Sequence, residues 1–133
     1  ESLIFDIDGT LWDSRALVAD GYNIQLEKEG LQIGVIDAWS LRPMDMDCLR
    51  ALFAQKAKII TIEEGEMIGG FGSEIARLCV EHGAAQPLAI MGLPNRFIAH
   101  GTVDQLLQEC SLSSAQIAQR IKDAIHMTEK NNA

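Results

Sequence analysis

The sequence predicts an α/β domain with a parallel sheet covered by helices on both faces. Three observations carry this. Short apolar runs alternate with longer amphipathic stretches four times along the chain. The breaks between them hold glycine, proline or capping residues, and no repeat, linker or low-complexity segment interrupts the alternation. The 133 residues are enough for one domain with a real core.

Taken in order, Leu3 to Ile7 (LIFDI) is a buried strand. Leu11 to about Lys28 is a helix with Leu11, Val18, Tyr22 and Leu26 near one face, weakened by Gly21. Glu29-Gly30 closes it, and Ile33 to Ile36 is the second strand. Pro43 and then Asp45, a good N-cap, open a helix whose apolar face is Leu49, Leu52 and Phe53. Lys58 to Ile62 (KIITI), rich in β-branched residues, is the third strand. The glycine-rich GGFGS, Gly69 to Ser73, leads into a helix through Ile75, Leu78 and Cys79, ended by His82-Gly83. Leu88 to Met91 is a short fourth strand. Thr102 with Gln105, and Ser113 with Gln116, fit capping boxes that open two further helices. From Thr128 the tail, 128–133, is polar and expected to fray.

Composition removes several functions. Apolar residues are 47% and charged residues 23%, which suits a globular domain rather than a disordered or fibrous one. A formal charge of −8 repels phosphates, so neither nucleic acid nor an anionic membrane is an expected partner, whereas a cation site is compatible. Cys48, Cys79 and Cys110 are odd in number and lack metal-ligand spacing, so they read as buried, reduced thiols. With no bilayer-length apolar run and no leader-type opening, a cytoplasmic location is expected.

The opening decapeptide FDIDGTLWDS places Asp6 and Asp8 one residue apart at the tip of an apolar run. Two carboxylates this close need a divalent cation to offset their repulsion. Residues 1–27, with this pattern, resemble the first strand and helix of haloacid dehalogenase-superfamily phosphatases. That resemblance implies Asp6 as nucleophile, Asp8 as general acid/base and Mg²⁺ as cofactor. The family also uses a Ser or Thr after the second strand, a phosphate-holding lysine and a later acidic pair. Ser40 and Arg42 imitate the first two only loosely, Lys56 and Lys58 lie at the wrong end of their strand, and no cap domain is present. Glu63 and Glu64, ending the third strand, are the candidate acidic pair, giving Asp6, Asp8, Glu63 and Glu64 as a predicted metal set.

From about Gly30 the sequence turns to another likeness. IGVIDAWSLRPMD (33–45), IEEGEMIGGFGS (62–73) and GLPNRFIAHGT (92–102) are similar to the C-terminal domain of 1-deoxy-D-xylulose-5-phosphate synthase, a transketolase relative of isoprenoid biosynthesis, and the likeness runs over 30–126. It implies a flavodoxin-like, three-layer fold with strand order 2-1-3-4, all parallel, and ligands near the strand 1/strand 3 switch point. In that family thiamine diphosphate is held by earlier domains, so no site for it is expected here. The same EE is present in the synthase-like segment for reasons of its own, which is the structural alternative to a metal pair.

GGFGS could hold an anion on free N–H groups, but its glycines read better as a tight turn, and Glu63, Glu64 and Glu66 would repel phosphate. His100 fits the turn before Thr102; His82 and His126 are helix-end histidines without evident partners. Trp12 and Trp39 fit either the core or an exposed patch. The sequence therefore reads as one α/β domain over 1–133, a hybrid whose phosphatase-like strand and helix complete a synthase-like remainder. It is expected to be non-catalytic, structural and self-associating through surface covered in the larger enzyme. The enzymatic alternative is a minimal Mg²⁺-dependent phosphohydrolase using Asp6 and Asp8.

Overall fold

The computed structural model describes residues 2–6, 34–38 and 40–131. The expected helix over 11–28, together with Asp8, Trp12 and Trp39, lies outside the described residues. The described elements are β1 (Ser2–Asp6), β2 (Gly34–Asp37), α1 (Met46–Ala54), β3 (Ile59–Glu66), α2 (Phe71–Glu81), β4 (Ala89–Leu93), α3 (Val103–Glu109) and α4 (Ser114–Asn131).

The four strands form one sheet in the order β2-β1-β3-β4, as the likeness implied. Every neighbouring pair is parallel. β1 is one of the two inner strands: Ser2 to Phe5 align with Gly34 to Asp37, and Ser2 to Asp6 with Ile59 to Glu63.

Strand alternation divides the core between two faces. On one, Ile59 packs with Leu49 and Leu52 of α1 and with Phe71, Ile75, Leu78 and Cys79 of α2. On the other, Ile60, Ile62 and Met91 meet Ile117, Ile121 and Ile125 of α4, with Cys110 and Leu112 from the α3–α4 connection. The isoleucines of α4 recur every fourth residue, so one stripe lies on the sheet. Each such burial contributes about 1.5–3 kcal/mol. All three cysteines are free thiols; Cys79 and Cys110 are buried and Cys48 is half-buried. Burial pushes the Cys79 thiol up, as it does Cys48, where the Asp45 charge adds to it, so both are poor nucleophiles at neutral pH.

Local caps set the helix starts. The Asp45 side chain accepts from Cys48 N at 3.0 Å. Thr102 and Gln105 form a complete capping box. At the start of α4, Gln116 Oε1 accepts from the Ser113 amide and hydroxyl. The α4 backbone stays helical to Asn131, past Thr128 where fraying is expected; Glu129 and Lys130 are good helix formers.

Three helices end in the same way. After α1, α2 and α3, the chain turns through a left-handed residue, namely Lys56 (φ 52°), Gly83 (φ 65°) and Ser111 (φ 61°). The next amide then reaches back to an unpaired carbonyl: Ala57 N to Leu52 O, Ala84 N to Cys79 O and Leu112 N to Leu107 O. Gly83 adopts this conformation freely, whereas Lys56 holds a Cβ in it at a cost. Lys56→Gly is therefore expected to raise stability by roughly 0.5–1 kcal/mol, and Gly83→Ala to lower it by about 1 kcal/mol, both read from urea midpoints.

Candidate functional site

The carboxyl end of β3, paired there with the end of β1, meets the start of α2 near the predicted switch point. β3 was expected to stop at Ile62 but continues to Glu66, with a pairing irregularity against β4 between Ile62 and Glu66. Alternation places Glu63 on the face of Ile59 and Thr61, toward α2. The residue is 3% exposed. Oε2 accepts from Phe71 N at 2.8 Å, and Oε1 from Gly72 N at 2.9 Å.

This contact solves a problem set by the sequence. α2 begins after Gly70, which has no side chain to cap it. The first amides of the helix need acceptors, and the positive end of its dipole favours an anion. Glu63 supplies both from the neighbouring strand. Burying a charge is unfavourable alone, but two charge-assisted hydrogen bonds and the dipole offset the desolvation. Each such bond is worth about 1.5–3 kcal/mol.

Space around the carboxylate explains the glycines. A Cβ on Gly70 would overlap Glu66 O and Glu63 Oε2. One on Gly65 would lie 2.9 Å from Glu63 Oε2, and one on Gly92 2.9 Å from both Glu63 Cγ and Gly65 O. Gly72 serves another contact, since its Cβ would fall 2.6 Å from Thr61 Oγ1 and against Ile90 Cγ2. Gly69, at φ 78°, makes the turn itself. Ser73 Oγ donates to Met67 O and accepts from Gly69 N, holding the loop to the first turn of α2. Met67 N donates to Leu93 O at 3.0 Å, joining the same loop to the end of β4.

Of the predicted site residues, Glu63 and Glu64 take opposite faces of β3. Asp6 ends β1 in register with Glu63. Asp8 lies outside the described residues. Glu64 is exposed, and strand alternation sends it to the opposite face from Glu63. Among the described residues, no group of three or more His, Cys, Asp and Glu is gathered as for a metal ion. Reading GGFGS as a tight turn holds at Gly69. Beyond the expected repulsion of phosphate, Glu63 is itself the anion on these amides. Arg42 is exposed, and its charge adds to the Arg77 hydrogen bonds that hold the Glu74 carboxyl below its ordinary range. His82 has a neighbour after all, its ring 5.9 Å from that of Phe53, and His126 also has a partner. His100 is exposed just before the Thr102 cap.

Sequence reasoning missed Glu63 as a helix cap. The available signal was a glutamate at a strand end, eight residues before a helix start whose cap position is glycine. Glu63→Ala is expected to cost about 2–4 kcal/mol in urea unfolding, with Glu63→Gln between it and the parent. Added formate, at ionic strength matched with chloride, should restore part of the loss in Glu63→Ala alone by occupying the vacated position. In contrast, Thr61 is fully buried and its Oγ1 has no hydrogen-bond partner among the described residues. Thr61→Val is expected to be neutral or stabilising by up to about 1 kcal/mol, measured the same way.

A family model described as "Transketolase, C-terminal domain" matches residues 23–117, beginning seven residues before the expected start of that likeness at 30. Sequence relatives include a 1-deoxy-D-xylulose-5-phosphate synthase of Geobacillus thermodenitrificans, 40% identical over 80% of this chain and 17% of the relative. The Bacillus velezensis synthase is 40% identical over 74% of this chain and 16% of its own length. The chain thus spans about a sixth of these relatives. A solved structure described as "Split gene transketolase, inactive beta4 tetramer" superposes with a TM-score of 0.71 over 95% of this chain and 39% of that one, at 24% identity, a likeness of fold. No described helix is long and apolar enough to cross a membrane. With a parallel sheet in the order β2-β1-β3-β4 and a family match over 23–117, the chain belongs to the transketolase C-terminal domain family.

Proposed function

We propose that this chain acts as a non-catalytic packing and self-association domain of 1-deoxy-D-xylulose-5-phosphate synthase type, in the cytoplasm, with its phosphatase-like opening used as structure. One observation carries the reading. The buried carboxylate at the strand ends, where a ligand of such a sheet would bind, has both oxygens on the α2 amides. Using Glu63 as a base or metal ligand would loosen the helix start it holds.

Self-association is supported by two further points. The solved transketolase chain of similar fold is described as a tetramer. Ile68, Phe97 and Val103, all largely exposed, lie on the connections that follow β3 and β4 and at the start of α3, and Phe97 is 96% exposed. Exposed apolar side chains of this size favour a covered state. The substrate chemistry of the synthase, with thiamine diphosphate, is proposed to need the remainder of such an enzyme.

The phosphohydrolase alternative rests on the FDIDGT motif and on Asp6 standing in register with Glu63. Light scattering after size exclusion, Mg²⁺ calorimetry and an aryl-phosphate assay on the same samples separate the readings. The expected result is a self-associated parent chain, a smaller species for Phe97→Asp, and neither saturable Mg²⁺ heat nor turnover. Mg²⁺-dependent turnover lost in Asp6→Asn would replace the packing reading with the enzymatic one. A strictly monomeric parent chain would remove self-association.

A further inference from the structure

The region matched by the family model, 23–117, begins after β1, yet β1 is one of the two inner strands of the sheet. It pairs with β2 over four register positions and with β3 over five. The side chains of β3 beside it are buried on both faces: Ile59, Ile60, Thr61, Ile62 and Glu63 are each 7% exposed or less. Without a strand at this position, β2 would have no neighbour in the sheet, and β3 would present a row of unpaired N–H and C=O groups deep in the domain. The family-type sheet therefore depends on a strand from outside the family-matched segment.

A parallel ladder is made by backbone atoms, so it specifies direction, length and extended conformation rather than side-chain identity. Both flanking strands are largely apolar near the pairing (Val35 and Ile36 in β2, Ile59, Ile60 and Ile62 in β3), which selects apolar residues between them. Ser2–Asp6, SLIFD, meets these terms: it is extended, five residues long and apolar at its centre.

We propose that the position between β2 and β3 is a strand-acceptor slot of low sequence selectivity, fitting an extended apolar segment of about five residues that runs parallel to both neighbours, and that Ser2–Asp6 fills it from within the chain. The phosphatase-like motif then serves as backbone and apolar bulk. This rests on the packing-domain reading and adds what the opening segment contributes to it.

Hydrogen exchange on the full chain tests the slot. Amides of Leu3 to Phe5 should exchange as slowly as those of Ile60 to Ile62, and amides orders of magnitude faster would overturn the proposal. A variant with Leu3→Ile, Ile4→Leu, Phe5→Met and Asp6→Asn keeps apolar bulk while changing every strand side chain from Leu3 to Asp6, the first motif aspartate included. It should retain that protection and melt within about 5 °C of the parent. Unfolding of this variant would mean that the slot reads particular side chains, against the proposal. Ile4→Pro removes one ladder donor at the centre of the sheet and should abolish the cooperative transition; an unchanged transition would place β1 outside the sheet. These outcomes are independent of association: a monomer with protected β1 amides would remove self-association and leave the slot standing.

Discussion

The pair of hydrogen bonds from Phe71 N and Gly72 N to the Glu63 carboxylate is the constraint from which most of this end of the molecule follows. A helix that starts after glycine has no local side-chain acceptor for its first amides. The acceptor must come from elsewhere, and the strand that precedes the helix is the nearest source. β3 must then extend beyond its apolar stretch so that Glu63 lies within the domain and not past its edge. The chain must also return to the helix start by a tight route, which Gly69 makes possible with its positive φ. Because the carboxylate occupies the space where side chains would otherwise sit, Gly65, Gly70 and Gly92 are bare.

The same arrangement settles a competition for one kind of site. Free amides at a helix start with glycines around them form a general anion receptor, used in many proteins for phosphate. Here the receptor is filled by a group tethered to the adjacent strand. A tethered carboxylate surrenders little freedom on binding compared with an ion from solution, so an external anion competes poorly with it. Glu64 and Glu66, both exposed nearby, add negative charge that disfavours phosphate further. The chemistry at this switch point is thus directed inward, to holding α2 against the sheet.

How far the sequence discloses this depends on the range of each interaction. Thr102 and Gln105 satisfy one another across three residues, so spacing alone reveals their cap. Asp45 is legible for the same reason. The alternating and 3.6-residue patterns place the strands, α1, α2 and α4, because burial on one face acts on every turn or pleat. Glu63 escapes these rules. Its partners come eight and nine residues later, across a turn, and glutamate is poor strand material when judged locally. The two terminal residues with positive φ that are not glycine, Lys56 and Ser111, are equally hidden, since the left-handed turn is imposed by the carbonyls behind them. The order of strands came from family resemblance and not from any periodicity.

The opening motif and the strand that carries it make different demands on the fold. A nucleophilic aspartate depends on groups contributed by other strands to neutralise charge and hold the phosphoryl group. In this fold, the position beside Asp6 in β3 belongs to Glu63, whose oxygens are engaged by α2, while Glu64 is directed to the opposite face. The strand beneath the motif has a different requirement: the ladder to β2 and β3 needs an extended backbone with apolar residues, which the SLIFD sequence of Ser2–Asp6 offers. Catalysis is a property of several strands together, whereas a strand position is satisfied by one segment at a time. Use of the segment as a strand therefore asks for fewer partners than phosphoryl chemistry would.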